Sequence, residues 1–388
     1  MKEVPEAGSI ISGIGISRIG RRLGVAPLEL TEDAARLAIA NAGLTAADID
    51  GISTMGDTPP KEAAVELGID PGYLGGGFDT GGLLSPVMSA FLAVAEGRAR
   101  HVLVYRTVQM MGGTVQAPPG GDGPSTDEAA RIAEVMGDVG SLLAHHAYSA
   151  ANWLAMHCNR HMHLYGTTKE QLGAIALNAR RNAALNPLAV YRDPMTMEDY
   201  LAARPVSSPF GLYDCDVPVD GSIAVVVSAA DHAPQCPQPP VRVAAMGGAP
   251  AGGGWVNRSD YPRMASTDAA REMWSRTDLT PADLDVAELY DGFTFLTLAW
   301  LEALGICGEG ESGPFVEEGA RIALDGELPL NTYGGQLSAG RLHGYWVLHE
   351  ACLQLRGAAG ERQVAGTPEV AVVAAGGGPI AGCILLTR

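Results

Sequence analysis

Short apolar segments alternate with segments of helical periodicity along almost the whole chain. Residues 8–17 read GSIISGIGIS and residues 241–250 read VRVAAMGGAP, and such glycine-punctuated apolar runs are typical of buried strands. A helix follows each run, and a hydroxyl residue marks its start: Thr31 in the first case, Ser266 or Thr267 in the second. The pattern predicts sheets that are covered by helices on both faces.

The same order of elements occurs twice, and part of the repetition is visible as sequence identity. Residues 31–50 (TEDAARLAIANAGLTAADID) align without a gap on residues 266–285 (STDAAREMWSRTDLTPADLD), with nine of 20 positions identical. In each copy a further strand, a Gly-Gly turn and a second helix follow, and the two turns contain Gly81 and Gly335. Self-similarity on this scale indicates a duplicated structural unit.

Two halves of this kind predict a duplicated, five-layered α/β fold with the layer order α-β-α-β-α. We assign residues 1–235 to the N-terminal half and residues 236–388 to the C-terminal half. Residues from about 110 to 215 begin with a Gly/Pro-rich stretch and continue with helical and polar segments. We interpret them as a loop domain that is inserted in the first half.

The composition excludes several classes of protein. A chain of 388 residues that is 47% apolar can bury a large core. The net charge of −18 argues against a nucleic-acid partner, because such binding depends on Lys and Arg meeting phosphates. No apolar run is long enough to span a membrane, and the first residues lack the pattern of a signal peptide, so we expect a cytoplasmic protein.

Cysteines and histidines give no metal-binding pattern. The six cysteines contain no CxxC pair, so neither a zinc ribbon nor a disulfide framework is expected. His157 and His161 have i, i+4 spacing, but the acidic residue of an HExxH motif is absent. We therefore expect no metal in this chain.

Several longer stretches are similar to one known superfamily. They are NARRNAALNPLA (178–189), DCDVPVDGSIAVVVS (214–228), ELYDGF (288–293), NTYGGQLSAGRLHG (331–344) and AAGGGP (374–379). With them the chain resembles the thiolase superfamily along nearly its whole length, most of all the lipid-transfer-protein or sterol-carrier-thiolase branch. The resemblance implies the thiolase fold and a coenzyme A thioester as substrate.

The cysteines that this resemblance implies are missing. Thiolases carry a nucleophilic Cys at the start of the helix after the first Gly-rich turn, a position that falls at or beside Thr80 here. Their second Cys precedes the last glycine run, where this chain has Ala374 or Ala375. Acyl transfer needs a thiolate, so acyl-enzyme chemistry is not expected.

The scaffold can still bind a thioester and stabilise its enolate, because backbone N–H groups at a helix N-terminus form an oxyanion site. The residues that we expect to bind the substrate are Thr80, Gly81, Gly335 and Gly377.

A thiolase-like chain without the nucleophile resembles the steroid side-chain-cleaving aldolases of the same branch. This resemblance implies retro-aldol cleavage of a tertiary β-hydroxyacyl-CoA to a 17-keto steroid and propionyl-CoA. It assigns the catalytic groups to a YDGF-type motif, here Tyr290–Phe293, and a GRLHG-type motif, here Gly340–Gly344 with Tyr345 following.

The resemblance also implies partners. Thiolase-fold halves form twofold dimers, so a homodimer is expected. A second polypeptide, an OB-fold protein with a zinc ribbon, is expected to complete the acyl-CoA site in a heterotetramer. Coenzyme A enters as part of the substrate, no cofactor is expected in this chain, and any zinc would lie in the partner.

A retro-aldol step needs a base for the hydroxyl proton, an acid for the departing carbon and donors for the thioester oxygen. We expect Tyr290 and Tyr345 to form the proton-transfer pair, with a nearby cation, Arg341 or His343, lowering the tyrosine pKa. Asp291 is an alternative base with Tyr290 as a donor, and His343 is an alternative base or oxyanion donor. Packing roles for both tyrosines also stay open.

Two other functions remain open at this point. One is a thiolase-like acyltransferase with an unrecognised nucleophile such as Thr80 or Ser85. The other is a non-catalytic subunit that binds acyl-CoA or lipid and releases no product.

Overall fold

The computed structural model describes residues 4–55, 58–77, 81–110, 137–249 and 254–388. Thr80, which we expected to bind substrate, lies outside the described residues, as do residues 111–136 of the expected insert.

The described residues form strands and helices that alternate in the order predicted. The strands are β1 (Ser9–Ile16), β2 (Gly51–Thr54), β3 (Tyr73–Gly76), β4 (His101–Gln109), β5 (Pro205–Ser207), β6 (Phe210–Gly211), β7 (Asp220–Ala229), β8 (Val241–Ala249), β9 (Val286–Leu289), β10 (Val370–Gly377) and β11 (Ile380–Thr387). The helices are α1 (Pro27–Asn41), α2 (Pro60–Leu67), α3 (Ser85–Ala95), α4 (Val139–Ala144), α5 (Ala150–Tyr165), α6 (Lys169–Ala184), α7 (Met197–Leu201), α8 (Ala265–Ser275), α9 (Thr294–Ala303), α10 (Ser312–Val316) and α11 (Tyr345–Arg356). None of the described helices is both long enough and apolar enough to cross a membrane.

The strands of both halves belong to one hydrogen-bonded order, β3-β2-β4-β7-β1-β8-β11-β10-β9. The first five come from the N-terminal half and the last four from the C-terminal half. The halves meet where β1 pairs with β8, through Ile10 with Arg242 and Ile11 with Val241. In each half parallel and antiparallel neighbours are combined: β2 runs parallel to β4, and β9 runs parallel to β10.

Burial distinguishes inner helices from outer helices. Ten of the 12 residues of α11 and eight of the 11 residues of α3 are buried, whereas α1 buries six of its 15 residues. The helix α3 packs on β2, β4 and β7, and α11 packs on β9 and β10 and also reaches β7 and β1. On the outside α1 covers β1 and β7, while α8 covers β8 and β11. Inner helices α3 and α11 and outer helices α1 and α8 therefore cover the strands on both faces, and the predicted α/β fold class is confirmed.

The repeated LTxADxD segments adopt the same local structure. Each forms a single 3-10 turn between a helix and a strand, and each turn is closed by a capping box. The Asp48 carboxylate accepts from the Thr45 backbone N–H at 2.8 Å, and the Asp283 carboxylate accepts from the Thr280 N–H at 2.7 Å. The division of the chain at residue 235 stays a prediction.

Candidate active site

Three loops meet beside the start of α3. A Cβ built on Gly344 would lie 2.7 Å from the Cβ of Ala375 and 3.8 Å from that of Leu83. The turn before α3 also touches β11, because a Cβ built on Gly382 would lie 2.6 Å from the carbonyl oxygen of Gly81. The start of α3, the end of β10 and the GRLHG-type loop thus converge, and the side chain at the end of β10 is an alanine.

The GRLHG-type loop has an unusual backbone. Gly340, His343 and Gly344 have φ angles of 133°, 47° and 85°. A positive φ is uncommon for a residue with a side chain, and such positions concentrate at functional sites. The loop is tied to its neighbour by the Arg341 N–H, which donates to the Val217 carbonyl oxygen at 2.8 Å. This conformation turns the chain sharply before Tyr345 begins α11.

Arg106 of β4 contacts His343. A guanidinium nitrogen of Arg106 lies 2.6 Å from His343 Nδ1, and another donates to the Met55 carbonyl oxygen at 2.5 Å. Burial, and then the charges of Arg106 and Arg341, hold the pKa of His343 well below its ordinary value. A neutral ring whose Nδ1 lone pair faces a guanidinium is unsuited to be a base. This arrangement favours the oxyanion-donor alternative.

Tyr345 is fully buried, and its hydroxyl has no hydrogen-bond partner among the described residues. Burial raises the pKa of the phenol, and the nearby charge of Arg106 opposes this only in part. A buried hydroxyl without a partner is costly to stability, and native proteins keep such groups mostly where a ligand or water completes them. The group is therefore a candidate donor to a bound ligand.

Tyr290 follows β9, where its N–H donates to the carbonyl oxygen of Ala374 at 2.8 Å. Its ring folds back over Gly292, since a Cβ built there would lie 2.6 Å from the ring. Burial raises the pKa of Tyr290, the Asp216 carboxylate adds to this rise, and Arg341 opposes it. We expected a nearby cation to lower the tyrosine pKa. Burial outweighs the cations at both Tyr290 and Tyr345, so the pKa of each phenol rises instead.

Asp291 is fully buried against the Gly-Gly turn of the second half. One carboxylate oxygen accepts from the Gln336 N–H at 2.8 Å, and the other has no partner in the described structure. That second oxygen would lie 1.9 Å from a Cβ on Gly335, whose φ is 61°. Burial raises the pKa of Asp291 to about 6, although backbone N–H groups oppose the rise.

The expected glycines therefore differ in what they do. Gly335 makes room for the Asp291 carboxylate, and Gly81 lies at the junction of the three loops. Gly377 is instead directed at Leu296, because a Cβ built there would meet that side chain at 2.5 Å. Substrate binding by these glycines stays a prediction.

Asp216 was not found by sequence reasoning. Its carboxylate pairs with Arg341 at 3.3 Å, and its N–H donates to the Gly292 carbonyl oxygen at 3.0 Å. Burial raises the pKa of Asp216 to about 7, with Arg341 opposing and Asp291 reinforcing the rise. Arg106 was also missed, although a lone arginine inside the apolar run of residues 102–108 was a usable signal.

A cavity of about 310 Å³ adjoins this group and includes Asp216 and Leu337 in its wall. Leu337 belongs to the π-helical turn Gly335–Ala339, which also contains Gln336. The cavity therefore reaches the acid–base group through both Asp216 and this turn.

No cysteine in the chain is activated. Burial raises the pKa of all six thiols, and Cys215, the one in the cavity wall, reaches about 12. The other five are Cys158, Cys236, Cys307, Cys352 and Cys383. Thiolate chemistry at neutral pH has no support here.

The histidine cluster of α5 has structural partners. His157 contacts the carbonyl oxygens of Pro262 and Trp255, and His161 contacts Thr167 and Glu302. Within the described ranges no three or more His, Cys, Asp or Glu side chains are grouped so that they could hold a metal ion.

Comparisons with known proteins identify the family of the chain. A model of the thiolase C-terminal domain-like family matches residues 253–385. The 17-hydroxy-3-oxo-4-pregnene-20-carboxyl-CoA lyase of Mycobacterium tuberculosis is 36% identical over 97% of this chain and 98% of its own length. The steroid side-chain-cleaving aldolase of Thermomonospora curvata is 34% identical over 99% of both chains.

A solved structure, described as the Ltp2-ChsH2(DUF35) aldolase, superposes with a TM-score of 0.87 at 31% identity. The match covers 100% of this chain and 99% of that one. Full-length identity of this degree, on a thiolase fold without an activated cysteine, establishes the family. The chain belongs to the steroid side-chain-cleaving aldolases of the thiolase superfamily.

Proposed function

We propose that this chain cleaves a carbon–carbon bond by a retro-aldol reaction. The substrate is the coenzyme A thioester of a steroid with a tertiary β-hydroxyl, and the products are a 17-keto steroid and propionyl-CoA. One observation carries the proposal: two buried polar atoms of the motifs, Tyr345 Oη and Asp291 Oδ2, have no hydrogen-bond partner in the described structure. The names of the two curated relatives, a lyase and an aldolase, support the same reaction.

Asp216 is the base in this mechanism. It is one of the residues that line the cavity, so it lies beside a ligand bound there, and its pKa of about 7 suits proton transfer at neutral pH. Asp291 is less suited, because it is fully buried and pressed against Gly335. Removal of the hydroxyl proton by Asp216 breaks the bond between the carbinol carbon and the α-carbon, and the electron pair moves to the thioester as an enolate.

Tyr345 and His343 stabilise the enolate oxygen. Both are neutral, the phenol because burial raises its pKa and the imidazole because burial and two guanidinium groups lower its pKa. Each can donate one hydrogen bond, from Oη of Tyr345 and from Nε2 of His343. Donors fixed before the reaction stabilise the developing charge without reorganisation.

Tyr290 protonates the α-carbon of the enolate and releases propionyl-CoA. The proton that Asp216 took from the hydroxyl then returns to the Tyr290 phenolate. The two groups are electrostatically coupled, since the Asp216 carboxylate raises the pKa of Tyr290. The cycle thus ends with both residues in their starting protonation states, and no external proton donor is consumed.

A partner subunit completes the substrate site in this proposal. The chain carries a charge of −18, so the phosphates of coenzyme A gain little attraction from its overall field. The structural relative is described as a complex of two proteins. We infer a heterotetramer that consists of a homodimer of this chain and two copies of an OB-fold, zinc-ribbon partner. Any zinc belongs to the partner, and coenzyme A enters with the substrate.

The decisive experiment mixes the purified chain, alone and with its partner, with a tertiary β-hydroxy steroid acyl-CoA. Mass spectrometry should detect the 17-keto steroid and propionyl-CoA in equal amounts, without added free coenzyme A. Light scattering on the same samples measures the mass of the complex. A product that forms only when free coenzyme A and a β-ketoacyl-CoA are supplied would indicate a thiolase instead.

Two controls separate the remaining alternatives. A Ser85→Ala variant should keep its activity, because this residue is buried and has no nucleophilic role in the proposal. A chain that binds the acyl-CoA tightly yet yields neither product, with or without partner, would be a non-catalytic binding subunit.

A further inference from the structure

The cavity beside Asp216 has a wall that the mechanism does not use. Its wall includes Asp216, Val217 and Leu337. The same wall includes two arginines, Arg21 and Arg180. The volume of about 310 Å³ lies at the lower end of the range, about 300–1,000 Å³, that is common for small-molecule sites.

Arg180 is held rigidly in this wall. It is 8% exposed, its Nε donates to the Ser338 hydroxyl at 2.9 Å, and one terminal nitrogen donates to the Asp193 carbonyl oxygen at 3.2 Å. Its guanidinium carbon lies 5.5 Å from the ring centre of Tyr191 and 5.7 Å from that of Tyr213. Stacking between aromatic rings fixes the guanidinium plane and leaves its edge as a donor.

Neither Arg21 nor Arg180 has a carboxylate partner in the described part of the chain. Arg21 donates to the Tyr191 hydroxyl at 2.5 Å, and its guanidinium carbon lies 5.7 Å from the centre of that ring. The protein has 44 acidic residues, yet these two guanidinium groups contact tyrosines and not carboxylates. Their N–H groups therefore remain able to donate hydrogen bonds to a ligand.

The remaining wall does not fit a phosphate. It is mainly apolar and aromatic, with Leu212, Pro218 and Leu337 beside the two tyrosines. Asp216 lines the same cavity, and its carboxylate, once ionised, would repel an anion there. Apolar walls with a few fixed donors are typical of sites for a rigid hydrophobic ligand that carries an uncharged acceptor.

We propose that this cavity binds the fused-ring system of the substrate, with Arg180 and Arg21 donating to a ketone oxygen of that ring system. The proposal rests on the proposed function, because it uses Asp216, which lines the same cavity, as the base. It adds the residues that select the ring oxygen, which would make the enzyme specific for ring systems that carry such an acceptor.

The test compares two substrates on the complete complex of chain and partner. One is the steroid acyl-CoA with a ketone at C3, and the other is identical except for a methylene at C3. We expect kcat/KM to favour the ketone by roughly 10- to 100-fold in the wild type, as for a hydrogen bond from a charged donor. Arg180→Met and Arg21→Met should each reduce this preference, and the double variant should nearly abolish it.

Arg22→Met is the matched control. Arg22 is exposed, adjacent in sequence to Arg21 and absent from the cavity wall, so this variant loses the same charge without losing the donor. Its substrate preference should equal that of the wild type. An equal preference in wild type and Arg180→Met would overturn the proposal, and so would a wild type that does not distinguish the substrates.

Calorimetric binding of the free steroid 3,17-diketone and of its 3-deoxy counterpart keeps the test independent of catalysis. A chain that cleaves nothing but binds the diketone more tightly, in an Arg180-dependent way, would refute the proposed function and retain the cavity assignment. Cleavage without Arg180-dependent binding would retain the proposed function and refute the cavity assignment. If Arg180→Met does not fold, the exposed Arg21 decides the same question through its own variant.

Discussion

The guanidinium of Arg106 donates to Nδ1 of His343 over 2.6 Å, and this contact determines where the histidine carries its proton. A guanidinium has only donors, so the Nδ1 atom must accept and the single ring proton of the neutral histidine must be on Nε2. An arginine from β4, in the first half of the chain, thereby prepares a donor in a loop of the second half.

The first prediction concerns this donor. His343→Gln retains an N–H group near the position of Nε2 and should lower kcat by about tenfold or less. His343→Phe removes the donor at similar volume and should lower kcat by about 100- to 1,000-fold, as for loss of an oxyanion-hole donor. Both variants keep a side chain at a positive φ, so backbone strain is the same in each. Equal losses in steady-state assays would contradict the donor role.

The second prediction is the pH dependence of catalysis. The base must be ionised, and burial raises the pKa of Asp216 to about 7, so kcat/KM should rise tenfold per pH unit below pH 7 and level off above it. The Asp216→Asn variant should lose most of its activity, and its kcat/KM should no longer rise with pH below pH 7. A profile that instead levels off near pH 6 would point to Asp291 as the base.

The third prediction is a stability change at the same residue. The pKa of Asp216 is raised from 3.8 to about 7 in the folded state, so its contribution to stability is complete below pH 3.8 and is lost as the pH rises through 7. Asp216→Asn cannot ionise, so its free energy of unfolding relative to wild type should increase by about 2–4 kcal/mol from pH 4 to pH 8. Thermal unfolding across this range measures the difference, and a pH-independent difference would exclude the raised pKa.

The motifs near the site could be read from sequence because each is contiguous. Tyr290 and Asp291 are neighbours, and Arg341, His343 and Tyr345 lie within five positions, so a local resemblance was enough to select them. For the tyrosines we predicted a lowered pKa, whereas burial raises it. Burial depends on packing from both halves and is not visible in a local pattern.

Arg106 and Asp216 were missed for the same reason. They come from β4 and from the segment before β7, and only the assembled sheet brings them to the second-half loops. The fold itself was predictable because duplication repeated its local signals, including the turns at Thr45 and Thr280.

The fourth prediction tests whether the Gly-Gly turn positions Asp291. Gly335→Ala brings a Cβ within 1.9 Å of the Asp291 carboxylate, so the carboxylate and the hydrogen bond from Gln336 must shift. We expect a loss of about 2–4 kcal/mol in unfolding free energy. We also expect at least a tenfold loss in kcat, because the Asp291 charge helps to raise the pKa of Asp216, the proposed base.

Gly68→Ala is the matched control, since Gly68 has a φ of 71° but no atom within 4 Å of the added Cβ. It should lose only about 1 kcal/mol, the cost of the left-handed backbone, with kcat unchanged. Similar activity in the two alanine variants would mean that the position of Asp291 is not limiting.

The last prediction contrasts two buried tyrosine hydroxyls. Tyr345 Oη has no partner in the described structure, so Tyr345→Phe removes an unsatisfied group and should leave the free energy of unfolding unchanged or raise it by up to about 1 kcal/mol. The same variant should lower kcat by about 100-fold or more, because a donor to the enolate is lost.

Tyr105 is equally buried, but its hydroxyl donates to the Thr58 carbonyl oxygen at 2.8 Å. Tyr105→Phe should therefore destabilise the protein by about 1 kcal/mol and leave kcat intact. If Tyr345→Phe loses activity but not stability, while Tyr105→Phe loses stability but not activity, the Tyr345 hydroxyl serves catalysis. A Tyr345→Phe variant that is destabilised and fully active would assign this hydroxyl to packing.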